Sequence, residues 1–270
     1  MKLAYYLKDS RLQLDPRVLA LLADLGATGI DVYPALSAED ITPGTQMLLS
    51  FGGDGTYLSA AGLAIKASVP VLGVNFGRLG FLSENKPEQI ADALVNKSYT
   101  IQRSGLVKVG GWCTAESEMF ALNEVCVLRE GGSMLGVDVQ VDNRPLPTYW
   151  ADGLIVATAS GSTAYALSVG GPICLPDSRV LILAPVAPHN LNVRPLIVPD
   201  SSHISVSFRS REQTVRLSAD NRAIDIPATS RLEICAVPGA LGRVVLNGSN
   251  FIEALRSRLH WGSDVRNTEQ

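Results

Sequence analysis

The most informative stretch of the chain is Met47-Leu48-Leu49-Ser50-Phe51-Gly52-Gly53-Asp54-Gly55-Thr56, in which an apolar run leads into a glycine-rich loop. A segment with helical spacing follows, so the order predicts a strand, a loop and a helix. In this arrangement glycines let the backbone approach a phosphate, and free amides at the helix start hold it. Asp54 stands within the loop, where its charge repels a phosphate. Because phosphoryl transfer otherwise needs mainly positioning and charge neutralisation, accepting a proton from a hydroxyl nucleophile is its natural role.

A plainer interpretation of the loop is a tight turn in which Asp54 caps the following helix, since aspartate is a preferred N-cap residue. Two other phosphate-binding motifs do not fit. A Walker loop requires Lys at the position beside Thr56, and the three-glycine spacing of a Rossmann loop is also missing. The loop by itself therefore leaves Asp54 as a proton acceptor or as a helix cap.

The composition predicts a globular protein with neither a nucleic-acid nor a membrane partner. The 270 residues are 46% hydrophobic and 18% charged, and the net charge of −3 lacks the basic excess of a general nucleic-acid binder. The first residues become charged too early for a signal peptide, and no apolar run approaches the ~20 residues that cross a bilayer. The four cysteines are scattered, which predicts free thiols in a reducing cytoplasm, and the three histidines lie too far apart to indicate zinc.

Residues 1–98 are predicted to form an α/β domain, because strand and helix patterns alternate along them. A helix is predicted to begin with Asp15 as N-cap and Pro16 in the first turn and to end at Gly26. Another helix is expected to start near Pro87. The predicted strands are Leu3–Leu7, Ile30–Tyr33, Met47–Phe51 and Val69–Val74. The predicted inner faces are Val18, Leu19, Leu22 and Leu25 for the first helix, and Leu58, Ala61, Gly62 and Ile65 for the helix after the glycine loop.

Residues 99–248 show strict alternation over short segments, which predicts an antiparallel, sandwich-like β domain. Val137, Val139 and Val141 share one face, for example. Residues 249–270 return to a helical pattern, with Asn250 and Glu253 as a capping box. This amphipathic tail helix is expected to pack back onto the first domain. Its predicted inner face consists of Phe251, Ile252, Leu255 and Leu259.

A second candidate site comprises Asp152-Gly153 and the segment Gly161-Ser162-Thr163-Ala164-Tyr165, which flank a predicted buried strand. Small hydroxyl residues on a glycine turn supply several donors suited to ribose hydroxyls or phosphate oxygens. A solvated loop with a buried tyrosine is the competing interpretation. Similarly, the pair Asn123-Glu124 can bind an adenine edge or a ribose diol, or can be a strand-edge pair that faces water.

Taken together, these motifs closely resemble the NAD kinase family, and they follow the family's order along nearly the whole chain. Several motifs in the same order over ~200 residues are far more specific to a family than any single motif. The segments that carry the resemblance are Gly52–Thr56, Val71–Asn75 with Leu79–Leu82, Asn123-Glu124, Asp152-Gly153 with Gly161–Tyr165 and Gly170–Pro172, Pro185, Pro188-His189, Arg194-Pro195, and the tail from Phe251 to Asp264.

The resemblance implies an α/β domain joined to a β-sandwich domain, with a dinucleotide bound between them, in a homo-oligomer such as a dimer or tetramer. It implies transfer of the γ-phosphoryl group of ATP to the 2′-hydroxyl of the adenosine ribose of NAD, giving NADP, with Mg²⁺ or another divalent ion. Asp54 would be the general base, with Gly53 and Gly55 beside it in the loop. Asn123 and Glu124 would hold a ribose, and Asp152 would contact the nicotinamide side. The adenine would be framed by Thr163, Ala164, Tyr165, Ala166, Leu167 and Ser168.

Three positions depart from the family pattern. Ser59 replaces a basic residue after the glycine loop, which shifts phosphate neutralisation toward the metal. Trp150 replaces an arginine before Asp152 and is expected to stack on the ligand. Arg222 replaces a glutamine and is expected to meet a phosphate.

Two other functions compete with NAD phosphorylation. A lipid or sugar-phosphate kinase shares the glycine loop but lacks the Gly161–Tyr165 signature. A regulator that binds NAD without turnover gains nothing from Asp54.

Overall fold

The structure is a computed structural model that describes residues 1–77, 80–113 and 117–262. Two residues quoted for the sequence motifs, Leu79 and Asp264, lie outside the described residues.

The described residues form five α-helices, seventeen strands and three short 3-10 helices. The α-helices are α1 (Pro16–Ala27), α2 (Asp54–Ala67), α3 (Ile90–Val95), α4 (Tyr165–Ser168) and α5 (Phe251–Leu259). The first nine strands are β1 (Lys2–Leu7), β2 (Asp31–Pro34), β3 (Met47–Phe51), β4 (Val71–Val74), β5 (Tyr99–Gly110), β6 (Glu118–Ala121), β7 (Glu124–Arg129), β8 (Leu135–Val141) and β9 (Arg144–Pro145). The remaining strands are β10 (Tyr149–Ala151), β11 (Gly153–Thr158), β12 (Val180–Val186), β13 (Leu196–Pro199), β14 (Ile204–Arg209), β15 (Thr214–Ala219), β16 (Arg222–Pro227) and β17 (Leu232–Leu246). The 3-10 helices are Ser10–Leu14, Pro87–Gln89 and Ser160–Thr163.

The chain folds into two compact units. Unit 1 contains residues 1–103 together with the chain from residue 241 onward, and unit 2 contains residues 104–240. The predicted combination of an α/β domain and a β-rich domain is confirmed.

Unit 1 is built on a parallel sheet in which β1 lies between β2 and β3, and β3 pairs with β4. The end of β17 joins the sheet beside β4, where Arg243 pairs with Val71 in parallel. Every residue of β3 and β4 is buried, as expected of central strands in a parallel sheet that is covered on both faces. The glycine loop, which follows the carboxyl end of β3, therefore lies at one end of this sheet.

The start of α1 confirms the predicted cap, because Asp15 accepts a hydrogen bond from the Arg17 amide at 2.9 Å and Pro16 opens the helix. The helix continues through Gly26, one residue beyond its predicted end. The predicted inner face is wrong at Leu19, which is 50% exposed. Residues spaced by three or four positions share a helix face, and here that face consists of Val18, Leu21 and Leu25.

The buried face of α2 is also rotated from the predicted one. Its buried residues are Tyr57, Ala60, Ala61 and Ala64. Only Ala61 was correctly predicted to lie on this face. The larger apolar side chains of Leu58 and Ile65 are only partly buried, because the small alanines occupy the side of the helix that packs closely on the rest of unit 1.

Unit 2 contains two antiparallel sheets, as the alternating pattern predicts. One sheet has the strand order β13-β12-β11-β7-β15-β16, and the other contains β10-β8-β14 and the start of β17, with β5, β6 and β9 attached. Alternation is visible along β7, where Val125 and Val127 enter the main core and Cys126 faces a smaller cluster beneath α4. The same alternation along β11 buries both faces of the six-stranded sheet at its centre.

The tail helix α5 belongs to unit 1. Asn250 caps it by accepting a hydrogen bond from the Ile252 amide at 2.9 Å, and the Phe251 ring lies 6.1 Å from that of Phe81. Leu255 is buried as predicted, but Ile252 is 48% exposed and Ala254 takes its place on the inner face.

A pair of substitutions tests the orientation of α5. Leu255→Ala is expected to lower the free energy of unfolding by about 2–4 kcal/mol, because it removes a side chain that is 98% buried and leaves a cavity. Ile252→Ala on the same helix is the control, with an expected cost below about 1 kcal/mol. Urea unfolding of each variant measures the difference, and equal costs would contradict this orientation.

Candidate active site

The glycine loop follows β3 and begins at a position that only glycine can occupy. Gly52 has φ +151°, and a Cβ added there would lie 2.5 Å from Thr56 Oγ1. Gly53 is the N-cap of α2, and its carbonyl accepts hydrogen bonds from the Thr56 and Tyr57 amides at 3.0 Å each. No described atom lies within 4 Å of a Cβ built at Gly53 or Gly55. The backbone here is open to a ligand at a helix N-terminus, which suits an anion.

Asp54 does not cap its own helix, so the helix-cap interpretation is wrong. Its carboxylate accepts hydrogen bonds from three consecutive amides: Phe81 to Oδ2 at 2.8 Å, Leu82 to Oδ1 at 3.0 Å and Ser83 to Oδ1 at 2.8 Å. A Cβ at Gly80 would lie 1.9 Å from Asp54 Oδ1, so glycine is required for this approach. Asp54 is thereby fixed in place while its side chain stays only partly buried.

Further hydrogen bonds hold the segment 81–83 against the sheet. The Ser83 hydroxyl donates to the Gly52 carbonyl at 2.7 Å, and the Asn75 amide group donates to the Ser83 carbonyl at 2.8 Å. The Asn85 amide group donates to the Gly73 carbonyl at 2.8 Å. A Cβ at Gly73 would lie 2.7 Å from the Leu82 carbonyl oxygen. The sequence block around Gly73 therefore supports the segment that holds Asp54.

A buried ionic cluster, Glu84 with Arg243 and Arg258, lies behind this segment. Glu84 pairs with Arg243 at 2.9 Å and with Arg258 at 3.6 Å. These side chains are only 8–13% exposed. Burial lowers the pKa of Arg258, and the charges of Glu84 and Asp54 oppose that shift. Burial raises the pKa of Tyr57, which is fully buried. The charge of Arg243 opposes this shift and the charges of Glu84 and Asp54 add to it, so Tyr57 belongs to the same region.

This ionic cluster was not predicted from the sequence. One signal was available, since Arg258 follows Ala254 and Leu255 by three or four residues and therefore lies on the buried face of α5. Glu84 and Arg243 are 159 residues apart in the chain, and no local pattern relates them.

In unit 2, the structure places Asn123-Glu124 beside the segment 160–168 at one end of the six-stranded sheet. Glu124 begins β7 and pairs with Ala157 near the end of β11. A Cβ at Gly161 would lie 2.1 Å from the Asn123 carbonyl oxygen, so this turn requires glycine to pack against the Asn-Glu pair. Arg222 begins β16 at the same end of the sheet and donates a hydrogen bond to the Phe120 carbonyl.

Asp220 organises this end of the sheet and was not singled out from the sequence. Its carboxylate accepts hydrogen bonds from the amides of Leu122 at 2.7 Å, Asn123 at 2.8 Å and Glu124 at 3.3 Å. Asp220 has φ +51°, a left-handed conformation that aspartate tolerates better than most residues. Burial raises its pKa, and the three amide hydrogen bonds oppose that shift.

Glu124 has the most unusual ionisation of the candidate site residues. Burial, and then the negative charge of Asp220, raise its pKa to about 7, while a hydrogen bond from the Tyr165 amide opposes the shift. Its Oε2 is buried and has no hydrogen-bond partner in the described parts of the chain. Burial raises the pKa of the Tyr165 hydroxyl, and the charges of Glu124 and Asp152 contribute to that shift. Glu124 therefore exchanges a proton near neutral pH.

The other predicted residues of unit 2 are more dispersed. Asp152 precedes β11, at the opposite end of that strand from Gly161, and its carboxylate pairs with Arg129 Nε at 2.6 Å. Trp150 lies in β10 opposite Gly136, and a Cβ at Gly136 would lie 2.9 Å from the indole ring. Among the predicted adenine contacts, Tyr165 and Ser168 are exposed, and Thr163, Ala164 and Leu167 are partly buried. The side chain of Ala166 is fully buried in the small cluster beneath α4.

Within the described ranges, no group of three or more His, Cys, Asp or Glu side chains is arranged to hold a metal ion. None of the described helices combines the length and the apolar character needed to cross a bilayer.

These features define a class of protein: a two-unit protein with an amide-lined glycine loop and a fixed carboxylate on an α/β unit, and a β-rich second unit. Comparisons with known proteins agree. Residues 9–99 match the profile of the ATP-NAD kinase N-terminal domain, and residues 122–244 match that of the ATP-NAD kinase C-terminal domain. The chain belongs to the NAD kinase family.

Relatives and solved structures support this assignment over nearly the full length. The chain is 35% identical to the NAD kinase of Flavobacterium psychrophilum, over 98% of this chain and 94% of that protein. It is 41% identical to the NAD kinase of Flavobacterium johnsoniae, over 87% and 82%. An Archaeoglobus fulgidus NAD kinase in complex with ATP superposes with a TM-score of 0.76 at 26% identity, over 96% of this chain and 99% of that chain. Yeast NADH kinase complexed with NADH shares the fold, with a TM-score of 0.85 at 21% identity, over 100% and 90%.

The raised pKa of Glu124 predicts a pH-dependent effect of Glu124→Gln on stability. The folded protein holds a proton on Glu124 that the unfolded chain loses near pH 4.5, so the carboxylate costs stability increasingly as pH rises toward 7. Relative to the parent, Glu124→Gln should therefore gain on the order of 2–3 kcal/mol between pH 5 and pH 8. Thermal melting at both pH values measures the gain. The exposed Glu118→Gln is the control, and equal pH dependence in both variants would refute the prediction.

The close contact at Gly80 predicts that Gly80→Ala detaches the segment 81–83 from Asp54. A methyl group 1.9 Å from Oδ1 cannot be accommodated without separating the two. The amides of Phe81, Leu82 and Ser83 should then exchange with solvent at least about tenfold faster. Gly77→Ala is the matched control, because no described atom lies within 4 Å of its added Cβ. Amide hydrogen exchange followed by NMR reports the three sites, and unchanged protection in Gly80→Ala would contradict the prediction.

Proposed function

We propose that this protein is an ATP-dependent NAD kinase that transfers the γ-phosphoryl group of ATP to the 2′-hydroxyl of the adenosine ribose of NAD, forming NADP. The observation that carries the proposal is the position of Asp54, a partly exposed carboxylate at an amide-lined helix N-terminus, oriented by three backbone hydrogen bonds. The names of the relatives, and the ATP-bound Archaeoglobus fulgidus structure, support this choice of donor and acceptor.

Asp54 acts as the general base in this mechanism. A ribose hydroxyl is a poor nucleophile at neutral pH, so a carboxylate that accepts its proton as the new O–P bond forms lowers the barrier. The bond from the γ-phosphorus to the β-γ bridging oxygen breaks as ADP leaves. A carboxylate has about four acceptor positions. Two on Oδ1 and one on Oδ2 are used by the segment 81–83, which leaves the second position on Oδ2 for the 2′-hydroxyl.

Gly53 and Gly55 contribute backbone amides rather than side chains. Their open surroundings allow phosphate oxygens to approach the start of α2, where the helix dipole and free N–H groups favour negative charge. The amides position the phosphoryl group, and Asp54 handles the proton.

Unit 2 supplies the dinucleotide contacts. Asn123 and Glu124 hold a ribose, and the unpartnered Glu124 Oε2 is the acceptor available to a ribose hydroxyl. Tyr165 and its neighbours from Thr163 to Ser168 frame the adenine. Asp152 contacts the nicotinamide side, with Arg129 fixing its orientation. Trp150 stacks its flat indole ring on the ligand, and the exposed Arg222 meets a phosphate.

Mg²⁺ enters as part of the MgATP substrate. Because the described side chains offer no ready group of three ligands, the ion keeps its waters and is held mainly by the substrate phosphates. When bound, it neutralises charge on the transferring phosphoryl group. The four cysteines are free, which supports a reducing, cytoplasmic location. Family likeness supports a homo-oligomer, a dimer or tetramer, that light scattering of the purified protein would reveal.

The direct test is formation of NADP from NAD and MgATP by the purified protein, in the parent and in Asp54→Asn. Asparagine keeps the shape but lacks basicity, so turnover should fall at least ~10²-fold while NAD binding is largely kept. Calorimetry measures binding, and a coupled assay specific for NADP measures turnover. Near-normal turnover of Asp54→Asn with NAD bound would exclude Asp54 as the base. NAD binding by the parent without NADP formation would favour the regulator instead.

A control separates basicity from loop geometry, because asparagine also presents an NH₂ group toward the amides of segment 81–83. Ser83→Ala removes the hydroxyl bond to the Gly52 carbonyl and loosens the segment, yet it keeps the carboxylate. Its turnover should fall less than about tenfold. A loss as large as that of Asp54→Asn would assign the effect to loop geometry.

A further inference from the structure

Phe81 connects Asp54 with Arg243 and with the tail helix through four separate contacts. Its amide donates to Asp54 Oδ2 at 2.8 Å, and its carbonyl accepts from Arg243 Nη2 at 2.9 Å. Its ring lies 4.9 Å from the Arg258 guanidinium carbon, a cation–π contact, and 6.1 Å from the Phe251 ring. A displacement of the tail helix would therefore move the residue whose amide orients Asp54.

Arg258 is the unusual member of this assembly. Its side chain is 92% buried, yet Nε and Nη1 have no hydrogen-bond partner in the described parts of the chain. Its ionic contact is with Glu84 at 3.6 Å, and Glu84 makes a shorter pair with Arg243. Removing one partner of a buried ion pair usually destabilises a protein because the other charge stays buried without a partner, but here Glu84 keeps its shorter pair with Arg243 at 2.9 Å. Fold stability alone therefore does not account for an arginine at this position.

The positive charge of Arg258 balances the negative charges of the acidic residues in this region. Arg243 and Arg258 supply two positive charges, and Glu84 supplies one negative charge. Asp54 supplies the second negative charge, and its field reaches Arg258. The four groups are neutral together only while Asp54 is ionised, which is the state a general base requires.

We propose that Arg258 is a positioning residue for the phosphoryl-transfer reaction: through Glu84, Arg243 and the ring of Phe81 it fixes the segment 81–83 that orients Asp54. The route is Arg258 to Glu84, Glu84 to Arg243, Arg243 to the Phe81 carbonyl, and the Phe81 amide to Asp54. This proposal rests on the proposed function, because it takes Asp54 as the reacting group.

The test compares Arg258→Met with Arg256→Met on the same helix. Arg256 is 70% exposed and forms a 3.8 Å surface pair with Glu253. In Arg258→Met, kcat should fall about 10–100-fold, because a small misplacement of a catalytic group has effects of this size. KM for NAD should stay within about threefold, since the Arg258 side chain is only 8% exposed and is not one of the proposed dinucleotide contacts. The amides of residues 81–83 should exchange about tenfold faster, while those of β3 keep their protection. Arg256→Met should change none of these quantities.

A double-mutant cycle tests the route through Glu84. Because Arg258 also contacts the Phe81 ring directly, adding Arg258→Met to Glu84→Gln should lower kcat further, but by clearly less than Arg258→Met lowers it in the parent. Fully additive losses would refute the route. Should Arg258→Met fail to fold, Arg258→Lys keeps a cation but loses the planar contact with Phe81, so kcat should still fall about 3–10-fold with faster exchange at 81–83.

The outcomes separate this proposal from the proposed function. If the parent makes no NADP, or if Asp54→Asn keeps its turnover, the proposed function fails whatever the exchange rates show. If Asp54→Asn is inactive but a folded Arg258 variant keeps the parent's kcat and the parent's exchange at 81–83, the positioning role of Arg258 is wrong.

Discussion

The three hydrogen bonds from residues 81–83 to the carboxylate of Asp54 are the constraint on which the candidate active site of unit 1 depends. They bring a segment 27–29 residues further along the chain onto the first turn of α2. Glycine is needed at 52, 73 and 80 because in each place a side-chain carbon would meet neighbouring atoms at 2.7 Å or less. Hydrogen bonds to a carboxylate are stronger than neutral ones, so these three bonds hold the loop in place and fix the direction of the Asp54 carboxylate.

Unit 2 uses the same device for another purpose. Asp220 also gathers three consecutive amides, those of residues 122–124, and so fixes the Asn-Glu pair at the start of β7. The difference lies in what surrounds each carboxylate. Asp54 has two guanidinium groups in its vicinity. Asp220 instead stands next to a second carboxylate, Glu124, whose pKa is raised by burial and then by the charge of Asp220. The carboxylate of Asp220 thus makes the adjacent Glu124 sensitive to pH near neutrality.

The sequence predicted the architecture and the motif order well, because glycine loops, alternation and caps such as Asp15 are local signals. It predicted helix faces poorly. Leu19 and Ile252 were expected inside and are half exposed, since the partner surface decides which stripe of a helix is buried. The hydrogen bonds that orient Asp54 were beyond local reasoning, because the amides that donate them are distant in sequence. Glu84 and Arg243 are 159 residues apart in the chain, so only tertiary packing brings this pair together.

The division of unit 1 into two chain segments has a consequence for how the protein is made. Val244 and Leu246 belong to the core of unit 1, and β17 completes the sheet beside β4, yet the ribosome adds them only after the whole of unit 2. Domains usually fold in order of synthesis, and pairings between distant segments form slowly. Unit 2, drawn from one continuous segment, is complete first. Until the carboxyl-terminal segment has been synthesised, the nascent α/β portion has an unpaired sheet edge at β4, and unpaired edges favour aggregation.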